Sequence, residues 1–123
     1  MSKVKRKLTT ILATDCVGFS KRMDENEELT LENLKACRSI IDPQIKEFGG
    51  RIFYTAGDSV IAEFESPVEC VNAAIGFQKA INDRNNTISN DSRLDWRVGI
   101  HLDDVIIEGD NVYGNGVNIA ARL

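Results

Sequence analysis

Two runs rich in β-branched and aromatic residues, Arg51–Ala56 and Ser59–Phe64, are separated only by Gly57-Asp58. A glycine–aspartate pair between two such runs reads as a tight β-hairpin, because the turn needs left-handed backbone that glycine adopts without steric cost. Ser66-Pro67-Val68-Glu69 follows at once. It has the form of a capping box with proline at the first helical position, so a long helix is expected to start there and to end near Asn85. On the other side of the hairpin, Gly49-Gly50 closes residues 27–48, where Leu31, Leu34, Cys37 or Arg38, Ile41, Ile45 and Phe48 recur every three or four positions. That is the stripe of an amphipathic helix. A hairpin bracketed by two long helices excludes an all-helical bundle and an all-β barrel.

The remaining segments extend this pattern. Residues 8–13 form a short β-rich run, and Asp15 to Ser20 follows it as a strand end feeding a turn and a helix. Pro43 lies inside the first helical stripe and is expected to kink it or to set a boundary near Asp42, since proline lacks an amide donor. In the second helix, Val68, Val71, Ile75 and Gln78 are expected to lead toward Ile81 on the buried side. Leu94, Trp96, Val98, Ile100 and Leu102 alternate with Asp95, Arg97, Gly99, His101 and Asp103. This is a strand with one buried face. Asp103-Asp104 is then expected to turn into Val105-Ile106-Ile107, Glu108 to Asn111 forms a further turn, and residues 116–123 begin a helix. Helices on one face of a mostly antiparallel sheet give an α+β sandwich, for which the ferredoxin-like arrangement is the natural candidate.

Composition bounds the function. At 123 residues and 13.7 kDa the chain has room for one core. Nineteen acidic against fifteen basic side chains leave a net charge of −4. That balance argues against a general nucleic-acid binder, because no net field draws in a phosphate backbone. Lys3, Lys5, Arg6 and Lys7 stand apart as a basic cluster, and residues 1–6 are expected to be a solvated arm ahead of a domain over residues 7–123. Cys16, Cys37 and Cys70 have no C-x-x-C spacing and no secretory signal ahead of them. A reducing cytoplasm fits best. Cys37 and Cys70 fall on apolar helix faces and read as core. No apolar run approaches the ~20 residues needed to span a bilayer.

Three motifs stand out against this background. Thr14-Asp15-Cys16-Val17-Gly18-Phe19-Ser20 puts an aspartate at a strand end, directly before a glycine turn. Gly57-Asp58 presents a second aspartate on the hairpin. Tyr113-Gly114-Asn115-Gly116-Val117-Asn118-Ile119-Ala120-Ala121-Arg122-Leu123 places Asn118 and Arg122 one helical turn apart, where both reach one ligand. Taken singly, each feature is ordinary: a turn-forming aspartate, a glycine for a tight turn, a surface helix. Taken together they suggest a nucleotide site with two metals, because two carboxylates suit hard divalent ions.

In this order the motifs resemble the catalytic domain of the class III nucleotidyl cyclases, which convert a nucleoside triphosphate to a 3′,5′-cyclic monophosphate and pyrophosphate. The resemblance runs from about Lys7 to Leu123. It implies two ions, Mg²⁺ or Mn²⁺, on Asp15 and Asp58 with help from the Cys16 carbonyl. It implies a phosphate cradle at Gly18, Phe19 and Ser20. Asn118 would orient the ribose, and Arg122 would stabilise charge developing on the transferring phosphate. In that family the aspartates come from one subunit and the asparagine and arginine from the other, so a homodimer with two equivalent sites is implied. Resembling domains also continue past this point with further strands, which leaves the C-terminal part of the domain missing here. A regulatory domain in a longer parent chain is expected on the same ground.

Two positions depart from the adenylate cyclase pattern, and both concern the base. Tyr54 stands where a lysine is expected and Asn111 where an aspartate is expected. Lysine and aspartate together read the adenine edge. Tyrosine offers a hydroxyl and a ring face, and asparagine offers both donor and acceptor. The default expectation is ATP to cyclic AMP. A pyrimidine nucleotide cyclase making cUMP or cCMP is one alternative, and a catalytically degenerate, regulatory cyclase-like domain is another. A diguanylate cyclase lacks support, since Ala56-Gly57-Asp58-Ser59 is not a G-G-D-E-F signature. Arg97 and His101 are expected to be structural, with Arg97 the better placed to touch a nucleotide. Asp103 is expected in a turn, in left-handed backbone.

Overall fold

The computed structural model describes residues 4–114. Asn118, Arg122 and the helix expected over residues 116–123 lie outside the described residues. Eight main elements follow in order: β1 (Val4–Cys16), α1 (Phe19–Glu25), α2 (Glu27–Glu47), β2 (Arg51–Ala56), β3 (Ser59–Phe64), α3 (Pro67–Asn85), β4 (Trp96–Glu108) and β5 (Asn111–Tyr113). They build one sheet in the order β2-β3-β1-β4-β5, with neighbouring strands antiparallel. The first four strands and the long helices between them make the expected ferredoxin-like α+β pattern.

Local chemistry sets the helix ends. Asn26 caps α2 by accepting from the Leu29 amide at 3.1 Å, and Glu27 and Glu28 sit in its first turn, where the helix dipole favours acids. The helix ends in a Schellman motif: Gly49 at φ 83, its amide on the Lys46 carbonyl at 3.1 Å, and the Gly50 amide on the Ile45 carbonyl at 2.8 Å. Ser66 caps α3 through the Glu69 amide at 3.2 Å. The Ser66 cap and the proline after it therefore start the helix where expected, with the Glu69 carboxylate accepting from Asn72 rather than returning to Ser66, and the helix ends at Asn85 as expected.

The larger core lies between the sheet and helices α2 and α3. Leu12, Phe64 and Trp96 from the strands meet Leu34, Cys37, Ile41 and Ile45 of α2 and Cys70, Phe77 and Ile81 of α3. On the opposite sheet face Ile11, Ala13 and Ile61 are covered by Val105 and Val112, with Phe53 and Ile107 packed alongside. The β4–β5 hairpin thus folds back over the face that the helices leave open.

Several expectations are corrected. Pro43 lies within α2, which continues to Glu47, so there is no boundary at Asp42; the Arg38–Asp42 pair, two bonds of 2.8 Å, braces the preceding turn. The buried side of α3 is Cys70, Ala73, Ala74, Phe77 and Ile81, whereas Val68, Val71 and Ile75 are exposed. This helix carries two apolar stripes, and the one holding small residues and Phe77 fits against the sheet. Leu94 and Trp96 are buried as expected, but Ile100 and Leu102 are exposed. Asp103-Asp104 makes no turn. β4 runs straight through it because β1 is itself thirteen residues long and pairs along its whole length with β4, Leu8 opposite Asp104 and Thr9 opposite Asp103. Arg6 holds Asp104 at 3.0 Å. Accordingly no residue other than glycine has positive φ among the described residues. Val4, Lys5 and Arg6, expected in a solvated arm, are strand residues opposite Glu108, Ile107 and Ile106, with the Lys5 and Arg6 side chains exposed. No helix among the described residues is long and apolar enough to cross a membrane.

Candidate active site

Asp15 is the penultimate residue of β1, opposite Arg97 of β4. Cross-strand neighbours on one face stand close enough for side chains to meet. The Arg97 guanidinium donates from Nε to Oδ1 at 2.8 Å and from Nη2 to Oδ2 at 3.0 Å, a bidentate fork that engages both carboxylate oxygens. The hydrogen bonds that this carboxylate accepts, ahead of its charge, push the Arg97 pKa up further. The arginine is half exposed, so the pair orients Asp15 more than it stabilises the fold.

Asp58 arrives from the β2–β3 turn. Gly57 precedes it at φ 56, a conformation that a side chain disfavours, and this lets two residues close the hairpin. The turn projects past the last β1–β3 pair, and Asp58 Oδ2 accepts from the Cys16 amide at 2.8 Å. The two aspartates are thereby tied to consecutive residues of one strand end. The Cys16 thiol is buried, and desolvation first, then the Asp58 charge, pushes its pKa up to about 12. It stays protonated at neutral pH and its sulfur donates to the Val17 carbonyl at 3.6 Å. Any part for Cys16 in ion binding therefore falls to its main chain.

Gly18 follows in left-handed backbone, φ 64 and ψ 29, and its carbonyl receives the Arg22 amide at 3.1 Å as α1 begins. Phe19 packs against the helical core, while Ser20 is exposed. Of the expected cradle, the Phe19 side chain belongs to the core.

Tyr54 reaches the site through an irregularity. Ile52 pairs with Ala62 and Tyr54 with Ile61, so Phe53 is an extra residue and the strand alternation shifts there. Without that bulge Tyr54 would share the helix-covered face with Ile52. With it, the half-exposed ring lies on the face of Asp15, where Asp15, Tyr54, Ser59 and Ile61 line a small cleft of about 80 Å³. Asn111 opens β5, the strand at the other edge of the sheet from β2, and is exposed. Arg97, expected to be structural yet better placed than His101 to touch a nucleotide, pairs with Asp15. Its alternation against Trp96 was visible, but the register that sets it opposite Asp15 was not.

These groups suit a hard cation in kind: two carboxylates on one strand end, with Oδ2 of Asp58 alone engaged among the described residues. Both oxygens of Asp15 are held by Arg97, so coordination there requires the guanidinium to yield. No group of three His, Cys, Asp or Glu side chains is assembled among the described residues. An ion held between the two carboxylates would have the Arg97 guanidinium beside it.

Comparison with known proteins identifies the family. A protein of Rhizobium meliloti (strain 1021) named as a candidate adenylate cyclase 3 is 36% identical over 98% of the chain, which spans 21% of that protein. A serine/threonine-protein kinase, pkn2 of Myxococcus xanthus, is 29% identical over 96% of the chain, which spans 14% of it. The crystal structure of an adenylate/guanylate cyclase/hydrolase from Silicibacter pomeroyi superposes with a TM-score of 0.89 at 35% identity, over 98% of this chain and 70% of that one. The guanylyl cyclase Cya2 shares the fold, with a TM-score of 0.85 at 23% identity, over 99% of this chain and 71% of that one. The model of the adenylate and guanylate cyclase catalytic domain matches residues 2–123, and the chain belongs to that family.

Proposed function

We propose that the chain is a nucleotidyl cyclase domain that converts ATP to 3′,5′-cyclic AMP and pyrophosphate, at sites completed between two copies. The observation that carries this reading is the joint anchoring of Asp15 and Asp58 at one strand end, the first through Arg97 and the second through the Cys16 amide. In the reaction the ribose 3′-hydroxyl gives up its proton to solvent and its oxygen forms a bond to the α-phosphorus as the bond to the bridging oxygen of pyrophosphate breaks. Two Mg²⁺ or Mn²⁺ ions, when bound, polarise the attacking oxygen and neutralise the triphosphate. Asp15 and Asp58 would hold these ions by their carboxylates. Arg97, on yielding Asp15 to an ion, would supply a cation beside it. Asn118 of the second copy orients the ribose, and Arg122 meets the charge that builds on the phosphorus.

Incubating the chain with each of the four nucleoside triphosphates and Mn²⁺, then identifying products by mass spectrometry, tests this directly. Cyclic AMP with pyrophosphate is expected from ATP. Return of all four triphosphates unchanged, despite measurable binding, would leave the regulatory, non-catalytic reading in its place. A second reading is favoured by Tyr54, whose half-exposed ring lies in the cleft beside Asp15 in place of a lysine. Tyrosine offers the base a hydroxyl and a ring face in place of a cation, and cUMP or cCMP as sole product would establish a pyrimidine cyclase.

The two-copy site has its own test. An Asp15→Ala chain and an Arg122→Ala chain, each inactive, should regain about a quarter of full activity when mixed equally, since half the dimers are mixed and one of their two sites is intact. No recovery with mixed dimers present would exclude shared sites. The small share of each relative's length that the chain spans supports a module within a longer, regulated protein. Its three buried free cysteines support a cytoplasmic setting.

A further inference from the structure

Glu63 of β3 is a carboxylate on the sheet face away from the helices, about nine-tenths buried, opposite Ile11 of β1 and Arg51 of β2. A buried carboxylate demands a partner. Arg51 supplies it with two nitrogens on one oxygen: Nε and Nη2 both stand 2.9 Å from Oε1, while Oε2 has no partner among the described residues. The Phe53 ring, turned by the bulge, lies 5.9 Å from the guanidinium carbon, within cation–π range. A guanidinium is a rigid plane, so fixing two of its nitrogens fixes the third. That third nitrogen, Nη1, donates to the Asp110 carbonyl at 3.3 Å, at the tip of the β4–β5 hairpin.

The consequence lies in the next residue. The carbonyl of Asp110 and the amide and Cα of Asn111 belong to one planar peptide unit, so a bond that holds the oxygen also orients the start of Asn111. Val112 and Ile107 seat the hairpin on Phe53 and Ile61 by apolar contact, which is non-directional. Arg51 adds direction. We propose that Arg51, held by the buried Glu63, is a positioning residue that sets Asn111 in place to read the nucleobase, and so a determinant of base selectivity from β2, at the opposite edge of the sheet from β5. This rests on the cyclase reading, in which Asn111 faces the base.

Arg51→Lys separates direction from charge: lysine still neutralises Glu63, but its single ammonium lacks the fork that fixes the third donor. Where that variant folds poorly, the double variant Arg51→Met with Glu63→Leu removes the buried pair together and keeps an apolar contact. Two measurements are made on the full chain with Mn²⁺. Hydrogen exchange over residues 105–113 is expected to quicken about tenfold in either variant, with α2 and α3 unchanged, as for a local opening equilibrium that has lost one bond. Binding of the α,β-methylene analogues of ATP, GTP, CTP and UTP is expected to lose about fivefold in the spread between the tightest and weakest base, while inorganic tripolyphosphate binds as before. Unchanged exchange overturns the clamp. Faster exchange with an unchanged spread of affinities overturns the role in selectivity. If the unaltered chain binds none of the four analogues, the cyclase reading falls and the selectivity role falls with it, while exchange still decides whether the clamp exists.

Discussion

The two faces of the sheet are built by different means. Against α2 and α3 the strands present Leu12, Phe64 and Trp96 to helical apolar stripes, and the helices are started and stopped by local caps at Asn26, Ser66 and Gly49. On the other face a smaller apolar cluster is interleaved with directional polar pairs: Asp15 with Arg97, and Glu63 with Arg51. Apolar burial is roughly proportional to area and is non-directional, whereas a bidentate pair adds geometric specificity. The helix-covered face holds most of the apolar core, and the other face holds the Asp15 pair. Substitutions on each should therefore fail in different ways.

The sharpest separation is expected from Asp15→Asn and Asp58→Asn. Each should lower kcat/KM for cyclisation about a thousandfold or more, equivalent to roughly 4 kcal/mol of transition-state stabilisation. The melting temperature should change little, because an asparagine oxygen at position 58 still accepts from the Cys16 amide. Substantial turnover by either variant at saturating Mn²⁺ would remove that aspartate from the ion site. Phe77→Ala should do the reverse, costing about 3–5 kcal/mol in denaturant unfolding, since a fully buried ring leaves a cavity. A cost below about 1 kcal/mol would mean that the helix-covered core does not dominate stability.

Alkaline pH probes the same core more gently. Burial pushes the Cys70 thiol up to about 12 from 9.0, so the folded state favours the neutral form. The unfolded chain ionises first as pH rises, and the stability contributed by this thiol, fully present below about pH 9, is lost progressively toward pH 12. Cys70→Ala should lose less stability than the unaltered chain between pH 8 and pH 10, compared by urea unfolding at about those two values. Equal slopes would mean that the thiol is not desolvated as its position implies. The smallest effect is expected at a helix end. Ser66→Ala removes the acceptor of the Glu69 amide and should cost about 1 kcal/mol without altering nucleotide binding. A change in nucleotide affinity there would show that the two faces are coupled through α3.

What sequence reading reached and what it missed divide along the range of the forces involved. The hairpin at Gly57-Asp58, the cap at Ser66 and the glycine stop of α2 are local matters, decided within a few residues, and each was legible. The aspartates were legible as a pair only because of the motifs around them. The extension of β4 through Asp103-Asp104 was not, because a ladder to Leu8 and Thr9, some ninety positions away, outweighs the turn preference of two aspartates. The buried stripe of α3 was misread for a related reason: Val68, Val71 and Ile75 are the more apolar set, but shape against the sheet selected Cys70, Ala73 and Phe77.

By itself the sequence determined the elements, the ferredoxin-like order and the residue types available to the site, since these follow from periodicity, capping and turn chemistry along a continuous stretch of chain. Only the tertiary structure decided that Arg97 faces Asp15, that the bulge at Phe53 turns Tyr54 to the same side, and that the β5 hairpin returns to within reach of Arg51. The physical reason is register. In a strand a shift of one residue exchanges the two faces, and register is fixed by long-range pairing and packing rather than by the identity of the residue that is moved.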